Sequence, residues 1–197
     1  ITVFLKSGKT IDFDILVLAV GVRPNTELVA QAGGEVARGI VADTSGRNSL
    51  PHVYAAGDSC ESYDITAGQR RVLALLPNAY RQGEAAGYAM AGEEKPFDTA
   101  MPLNAVGFMG LHIVTAGSYN GKKSVIENEE DYRCFFVQDG VLNGMLLIGE
   151  VRRAGIYTSL IRNRTPLDTV DFEAMKRHPQ LMAFPLAQRK AALASRH

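Results

Sequence analysis

Six consecutive apolar residues, Ile15-Leu16-Val17-Leu18-Ala19-Val20, closed by Gly21, constrain this chain more than any other feature. The run is too short for a helix core. Its lack of polar alternation describes a strand covered on both faces, as parallel strands are in layered α/β proteins. A hairpin is predicted just before it: residues 1–6 are β-branched and apolar, Ser7-Gly8-Lys9 punctuates them, and residues 10–14 alternate with Ile11 and Phe13 on one side. Arg23-Pro24-Asn25 then breaks the strand. Asn25 or Thr26 caps a short predicted helix over residues 27–32, which Gly33-Gly34 ends.

Further along, short strands are expected at residues 39–43 and 53–56, separated by a polar loop over 44–51, while residues 58–71 carry no clear period. A helix is predicted over 77–91, with Pro77 in its first turn and Gly92 just past its end. Ala79, Gly83, Ala86 and Met90 mark its expected inward side. Glycines there imply either a close approach of backbones or loose packing. The composition shifts at Glu93-Glu94-Lys95-Pro96, placing a domain boundary near residue 99. Strands are expected at 105–109, 111–116, 123–127, 132–138 and 141–148, the last two joined by a tight Asp139-Gly140 turn. Amphipathic helical stretches follow at 154–162 and 185–195. The second half is therefore α+β with a mostly antiparallel sheet.

Composition narrows the function. Of 197 residues 46% are hydrophobic and 21% charged, which excludes disorder over the whole chain. Twenty-one basic residues balance 21 acidic ones, so the electrostatic footprint of a nucleic-acid binder is absent. No apolar run reaches the roughly 18–20 residues of a membrane span. Two distant cysteines form no disulfide framework, and a reducing, cytoplasmic compartment is expected. The chain opens at Ile1, directly into strand-like sequence, and a piece of a longer polypeptide is expected.

The segment Val53-Tyr54-Ala55-Ala56-Gly57-Asp58 holds the candidate chemistry. A strand ending in small residues, then Gly and Asp, brings main-chain N–H groups and one carboxylate to the carboxyl end of a sheet. Asp58 would accept hydrogen bonds from ligand hydroxyls, and glycine lets a phosphate approach an adjacent N–H. The alternative is an Asx turn that merely ends the strand.

Three spaced blocks carry a resemblance: residues 14–25, Ser49-Leu50-Pro51-His52-Val53-Tyr54-Ala55-Ala56-Gly57-Asp58, and Ala79-Tyr80-Arg81-Gln82-Gly83-Glu84-Ala85-Ala86. Together they resemble the FAD-dependent pyridine nucleotide-disulfide oxidoreductases. Gly107-Phe108-Met109-Gly110-Leu111-His112, Tyr132-Arg133-Cys134-Phe135-Phe136 and residues 142–149 look like the C-terminal domain of NADH-rubredoxin oxidoreductases and of the flavin part of nitrite reductases. The resemblance implies that residues 1–25 end an NAD(P)H-binding domain and cross over. It further implies that 26–99 are the second segment of an FAD-binding domain of ββα type, and 100–197 a C-terminal interface domain. Asp58 matches the position whose carboxylate binds the ribityl chain, and Gly57 the close approach beside the pyrophosphate. Pro77, Asn78 and Ala79 match the helix start that faces the flavin pyrimidine end.

The family's G-x-G-x-x-G fingerprints are missing, for no G-x-G occurs in the chain. A C-terminal fragment that is inactive and colourless by itself is thus expected. The parent would pass electrons from NAD(P)H through FAD to a rubredoxin-like protein, a disulfide or oxygen. The rival reading is a non-catalytic dimerisation module. No catalytic residue and no metal site is assigned: Cys60 and Cys134 form no C-x-x-C, and His52, His112, His178 and His197 show no ligand spacing. Cys60 and Cys134 read as packing residues. His112 is a structural histidine or lies near an electron acceptor, and Arg152, Arg153, Arg162 and Arg164 are solvated charge or attract an acidic electron carrier.

Overall fold

The computed structural model describes residues 1–185. The predicted stretch 185–195, apart from Pro185, lies outside the described residues. The chain opens with the expected hairpin, β1 (Thr2–Phe4) against β2 (Thr10–Asp12), in the register Val3 to Ile11. Gly8, at φ +83, makes its turn.

The apolar run that follows is not a strand. Residues 15–20 have no regular structure, and Ile15, Val17 and Val20 are 81%, 79% and 89% exposed. The physical reason is the lack of partners. A strand buried on both faces needs ladder neighbours and covering layers, and no described strand pairs with this one. The next helix does form, α1 (Glu27–Gln31), and ends at Gly33, which is at φ +81, but its N-cap residue Thr26 makes no side-chain cap hydrogen bond.

A small mixed sheet follows, with β3 (Ile40–Val41) parallel to β4 (Cys60–Asp64) and β4 antiparallel to β5 (Gln69–Val72). Two expectations fail here. Residues 53–56 make only an isolated bridge, Tyr54 to Arg47, and the segment taken as irregular is the β4–β5 hairpin. The hairpin escaped a hydrophobic reading because its inward residues include Glu61 and Asp64, both buried. Glu61 accepts the main-chain N–H groups of Arg38 and Gly39 at 3.0 and 3.1 Å. Asp64 accepts the Thr66 N–H at 2.8 Å and the Thr66 hydroxyl at 2.7 Å, and pairs with Arg71 at 2.7 Å. Each charge is compensated by fixed donors, the condition for burying it. The apolar cluster beside this sheet is small, made of Ile40, Ala42, Ala55 and Cys60.

Helix α2 (Leu76–Met90) runs almost as predicted and stops before Gly92, at φ +83. Its inward side differs. Asn78, Gln82, Ala85, Ala86 and Ala89 are buried, whereas Gly83 is exposed and Met90 is 62% exposed. Alternating Ala and Gly offer too little apolar contrast to fix a face, and two buried amides decide it instead.

Beyond residue 100, β6 (Leu103–Phe108), β7 (Leu111–Gly117), β8 (Lys122–Glu127), β9 (Tyr132–Gln138) and β10 (Val141–Ile148) form one antiparallel sheet in the order β6-β7-β10-β9-β8. Asp139 and Gly140, both at positive φ, make the predicted tight turn between β9 and β10. Gly117 and Gly144 permit a close approach, since a Cβ on Gly144 would lie 2.0 Å from the Ser118 carbonyl oxygen. Helix α3 (Ala154–Arg162) and the short α4 (Phe172–Arg177) cover the sheet. Phe135 sits at the centre of the core, 4.9 Å from the Tyr157 ring and 5.7 Å from that of Phe172, with Leu142, Met145, Leu160 and Met175 around it. Cys134 is buried in β9.

Leu160 is fully buried in this core, and Leu160→Ala is expected to lower the unfolding free energy by about 2–5 kcal/mol in urea titration. Leu28→Ala, at a side chain 83% exposed, should change it by less than about 0.5 kcal/mol.

Candidate functional site

Two pieces of chain distant in sequence meet where residue 57 turns. Ala56 is extended, Gly57 swings to φ +80, and Gly57–Ser59 makes a single tight turn into β4. The Cys60 N–H closes that turn on the Gly57 carbonyl oxygen, and the Cys60 thiol lies 3.4 Å from the same oxygen. A Cβ on Gly57 would meet only Ala79 Cβ, at 3.6 Å. Space is therefore not what requires glycine here. The left-handed φ is.

The same corner rests on the N-terminal half of α2. The Gly57 N–H donates to Gln82 Oε1 at 2.6 Å, so it is not free for a phosphate. Gln82 Nε2 in turn donates to the Ser62 hydroxyl, and its Oε1 is 3.5 Å from the Cys60 sulfur. Asp58, next along, is exposed. Its carboxylate accepts no main-chain N–H among the described residues. An Asx turn needs that bond, so the alternative reading of this segment as a mere strand stop is not met.

The start of α2 is built from Leu75, which is extended, and Pro77, whose ring suits the first turn. The Asn78 and Ala79 N–H groups both return to the Leu75 carbonyl oxygen at 3.0 Å. Neither a side-chain cap nor an acidic residue offsets the positive end of the helix dipole in this first turn. Buried Asn78 donates from Nδ2 to the Met101 carbonyl oxygen at 3.0 Å, tying the helix start to the approach to β6. Pro77 is exposed and Ala79 half-buried.

All five residues singled out in the sequence thus lie in one region. Gly57 and Asp58 form the corner, while Pro77, Asn78 and Ala79 form the helix turn beside it. That turn also borders a cleft of about 610 Å³, lined by Leu76, Pro77, Tyr80, Phe97, Met101 and Arg162. Its volume is that of a small-molecule site. Chemically the region offers one outward carboxylate, an acceptor for hydroxyl groups, and an uncompensated helix start that favours electron-rich groups.

Sequence reasoning missed Gln82 and the cleft walls. The signal for Gln82 was present: Asn78 and Gln82 stand four apart, two amides on the face that carries Ala85, Ala86 and Ala89. The cleft walls come from three separated segments and had no local signal. The four arginines weighed as one group do not converge. Arg152 pairs with Glu150, Arg153 donates to the Pro179 carbonyl oxygen at 3.1 Å, Arg164 donates to Asn143 Oδ1 at 2.9 Å, and Arg162 lines the cleft. Among the described residues no three His, Cys, Asp or Glu side chains are grouped to hold a metal ion, and no helix is long and apolar enough to cross a membrane.

Residues 1–83 match the family model described as pyridine nucleotide-disulphide oxidoreductase. The epsilon subunit of NADH-dependent phenylglyoxylate dehydrogenase from Aromatoleum evansii is 33% identical over 172 residues, covering 83% of this chain and 41% of the subunit. Nitrite reductase [NAD(P)H] from Bacillus subtilis is 32% identical over 145 residues, 73% of this chain and 17% of that protein. Among solved structures, an FAD-dependent pyridine nucleotide-disulphide oxidoreductase from Desulfovibrio vulgaris shares the fold at a TM-score of 0.72 and 24% identity, over 82% of this chain and 45% of that one. The chain spans less than half the length of each of these proteins.

Burial pushes the Cys60 thiol up to about 11, and the nearby Asp58 and Glu61 carboxylates add to the shift. Cys60 is buried, and its alkylation by iodoacetamide at pH 8, followed by peptide mass spectrometry, is expected to be at least about tenfold slower in the folded than in the urea-unfolded protein. The linkage has a definite sign. A thiol whose pKa is higher in the folded than in the unfolded state stabilises the fold below pH 9, and that contribution is lost as the pH rises from 9 towards 11.

Proposed function

Residues 1–83 belong to the pyridine nucleotide-disulphide oxidoreductase family, and from that premise we propose that this chain supplies part of the flavin site of an FAD-dependent NAD(P)H oxidoreductase. The observation that carries the reading is the outward Asp58 carboxylate on a glycine corner seated against the start of α2. An acceptor-only group there suits the hydroxyl donors of a ribityl chain. Gly57, with no side chain, allows the pyrophosphate end to come close. The turn at Pro77, Asn78 and Ala79 directs the positive end of a 15-residue helix at the pyrimidine edge and stabilises negative charge gathering there. Bound flavin supplies hydride acceptance and onward electron transfer, and the protein supplies orientation and charge.

These residues fit part of the cofactor only. With no G-x-G in the chain and the Gly57 N–H already bonded to Gln82, the pyrophosphate and the nicotinamide need binding groups other than those identified here. The proposed division assigns residues 1–25 to the end of the NAD(P)H-binding domain and the crossover, 26–99 to the second FAD segment, and 100–197 to an interface domain. The proposed acceptors are a rubredoxin-like protein, a disulfide or oxygen, in the cytoplasm, where free Cys60 and Cys134 stay reduced.

A second reading, assembly into a homodimer, is favoured by one observation. The β6–β7 hairpin at the sheet edge exposes Phe108, Met109 and Leu111 at 65%, 90% and 46%. Purification of the chain tests both: flavin bands near stoichiometric occupancy would overturn the reading of a partial site, and sedimentation as a monomer would overturn assembly.

In the full enzyme Asp58→Ala is expected to weaken FAD retention by roughly 1.5–3 kcal/mol, the scale of a hydrogen bond to a charged group. Flavin content after dialysis measures it, and unchanged content would remove Asp58 from the site.

A further inference from the structure

Gln82 is buried at 7% exposure, and its side chain touches both the glycine corner and the strand leaving it. Its orientation is determined by chemistry. The Gly57 N–H is an obligatory donor, so the Gln82 oxygen must face it, which leaves the Gln82 NH2 to donate to the Ser62 hydroxyl. Ser62 and Cys60 lie two apart on β4 and share a face of that strand. Gln82 therefore spans three positions, 57, 60 and 62, from a single point on α2. The same helix, one turn earlier, is fixed to the Met101 carbonyl oxygen by Asn78. Both halves of the candidate site are thereby referred to one rigid element.

We propose that Gln82 is a positioning residue: by clamping the Gly57 N–H it holds the left-handed corner in the shape that turns the Asp58 carboxylate outward and keeps it in register with the first turn of α2. The inference rests on the reading of Asp58 as a cofactor contact and adds the residue through which that contact is set. Gln82 does not reach the ligand itself. Without the clamp, Gly57 keeps the wide conformational freedom of glycine, and the Asp58 carboxylate samples directions in which a bound hydroxyl is not met.

The test is a double-mutant cycle on the full enzyme, with FAD affinity as one readout and amide hydrogen exchange of the cofactor-free protein as the other. Gln82→Leu keeps the volume and removes the acceptor. It is expected to weaken FAD binding about five- to tenfold, the scale of one buried neutral hydrogen bond, and to speed exchange at the Gly57 amide at least tenfold. In an Asp58→Ala background the same substitution should change FAD affinity less than twofold, because its effect passes through Asp58. Gln82→Glu, which keeps an oxygen opposite Gly57, should return the exchange rate to within about threefold of the native value. Equal losses of FAD affinity in the two backgrounds would show a merely structural glutamine and overturn the proposal. So would unchanged exchange at Gly57 in Gln82→Leu. If Asp58→Ala by itself leaves FAD affinity intact, the functional reading fails and the positioning role with it, whereas a strong Asp58 effect with a silent Gln82→Leu sinks the positioning role alone.

Discussion

Buried polar side chains bonded to main-chain groups hold residues 26–100 together, and the candidate site depends on them. The apolar cluster beside the small sheet is Ile40, Ala42, Ala55 and Cys60, with Val29 and Val36 against it, and buried alanines line the inward face of α2. The Arg38 and Gly39 N–H groups donating to Glu61, Asn48 donating to the Val41 carbonyl oxygen at 2.7 Å, and the Gly57 N–H donating to Gln82 fix the geometry of the region. Each such bond contributes little net free energy, but leaving its buried partner unpaired costs more than the bond gives. The result is a region whose shape is specified sharply by direction rather than by volume.

The second half of the chain works the other way. Eleven buried apolar residues, centred on Phe135 and roofed by Tyr157, Leu160 and Ile161 of α3, form one continuous core. The two regimes meet at residues 100–101. The Ile65 N–H donates to the Ala100 carbonyl oxygen at 3.1 Å, and Asn78 donates to that of Met101. Met101 also belongs to the large core. The start of α2 is thus anchored on the best-packed part of the molecule, which suits an element expected to aim its dipole at a ligand.

Local signals were readable where the residues concerned answer mainly to their neighbours in sequence. Asp139-Gly140 and Gly8 declare turns through the φ they tolerate, Gly33 and Gly92 end helices for the same reason, and the strands of 103–148 show as strand-like runs, although their order β6-β7-β10-β9-β8 does not. The β4–β5 hairpin did not show, because its buried positions are charged and are satisfied by backbone groups more than twenty residues away in the case of Glu61. The inward face of α2 was misjudged for a related cause: Asn78 and Gln82 are inside because of what they bond, not because of what they avoid.

The chain's order of residues marked a Gly57-Asp58 corner and a helix start at Pro77, and the resemblance to the oxidoreductase family made Gly57, Asp58, Pro77, Asn78 and Ala79 a candidate site. It also marked residues 15–20 as a continuous apolar run. Only the tertiary structure decided that Gly57 is bonded to Gln82, that Asp58 points outward, and that the 15–20 run pairs with no described strand. The reason is common to all three. Hydrogen-bond partners and strand neighbours are properties of what the folded chain brings alongside, and no period or motif along the sequence encodes who arrives there.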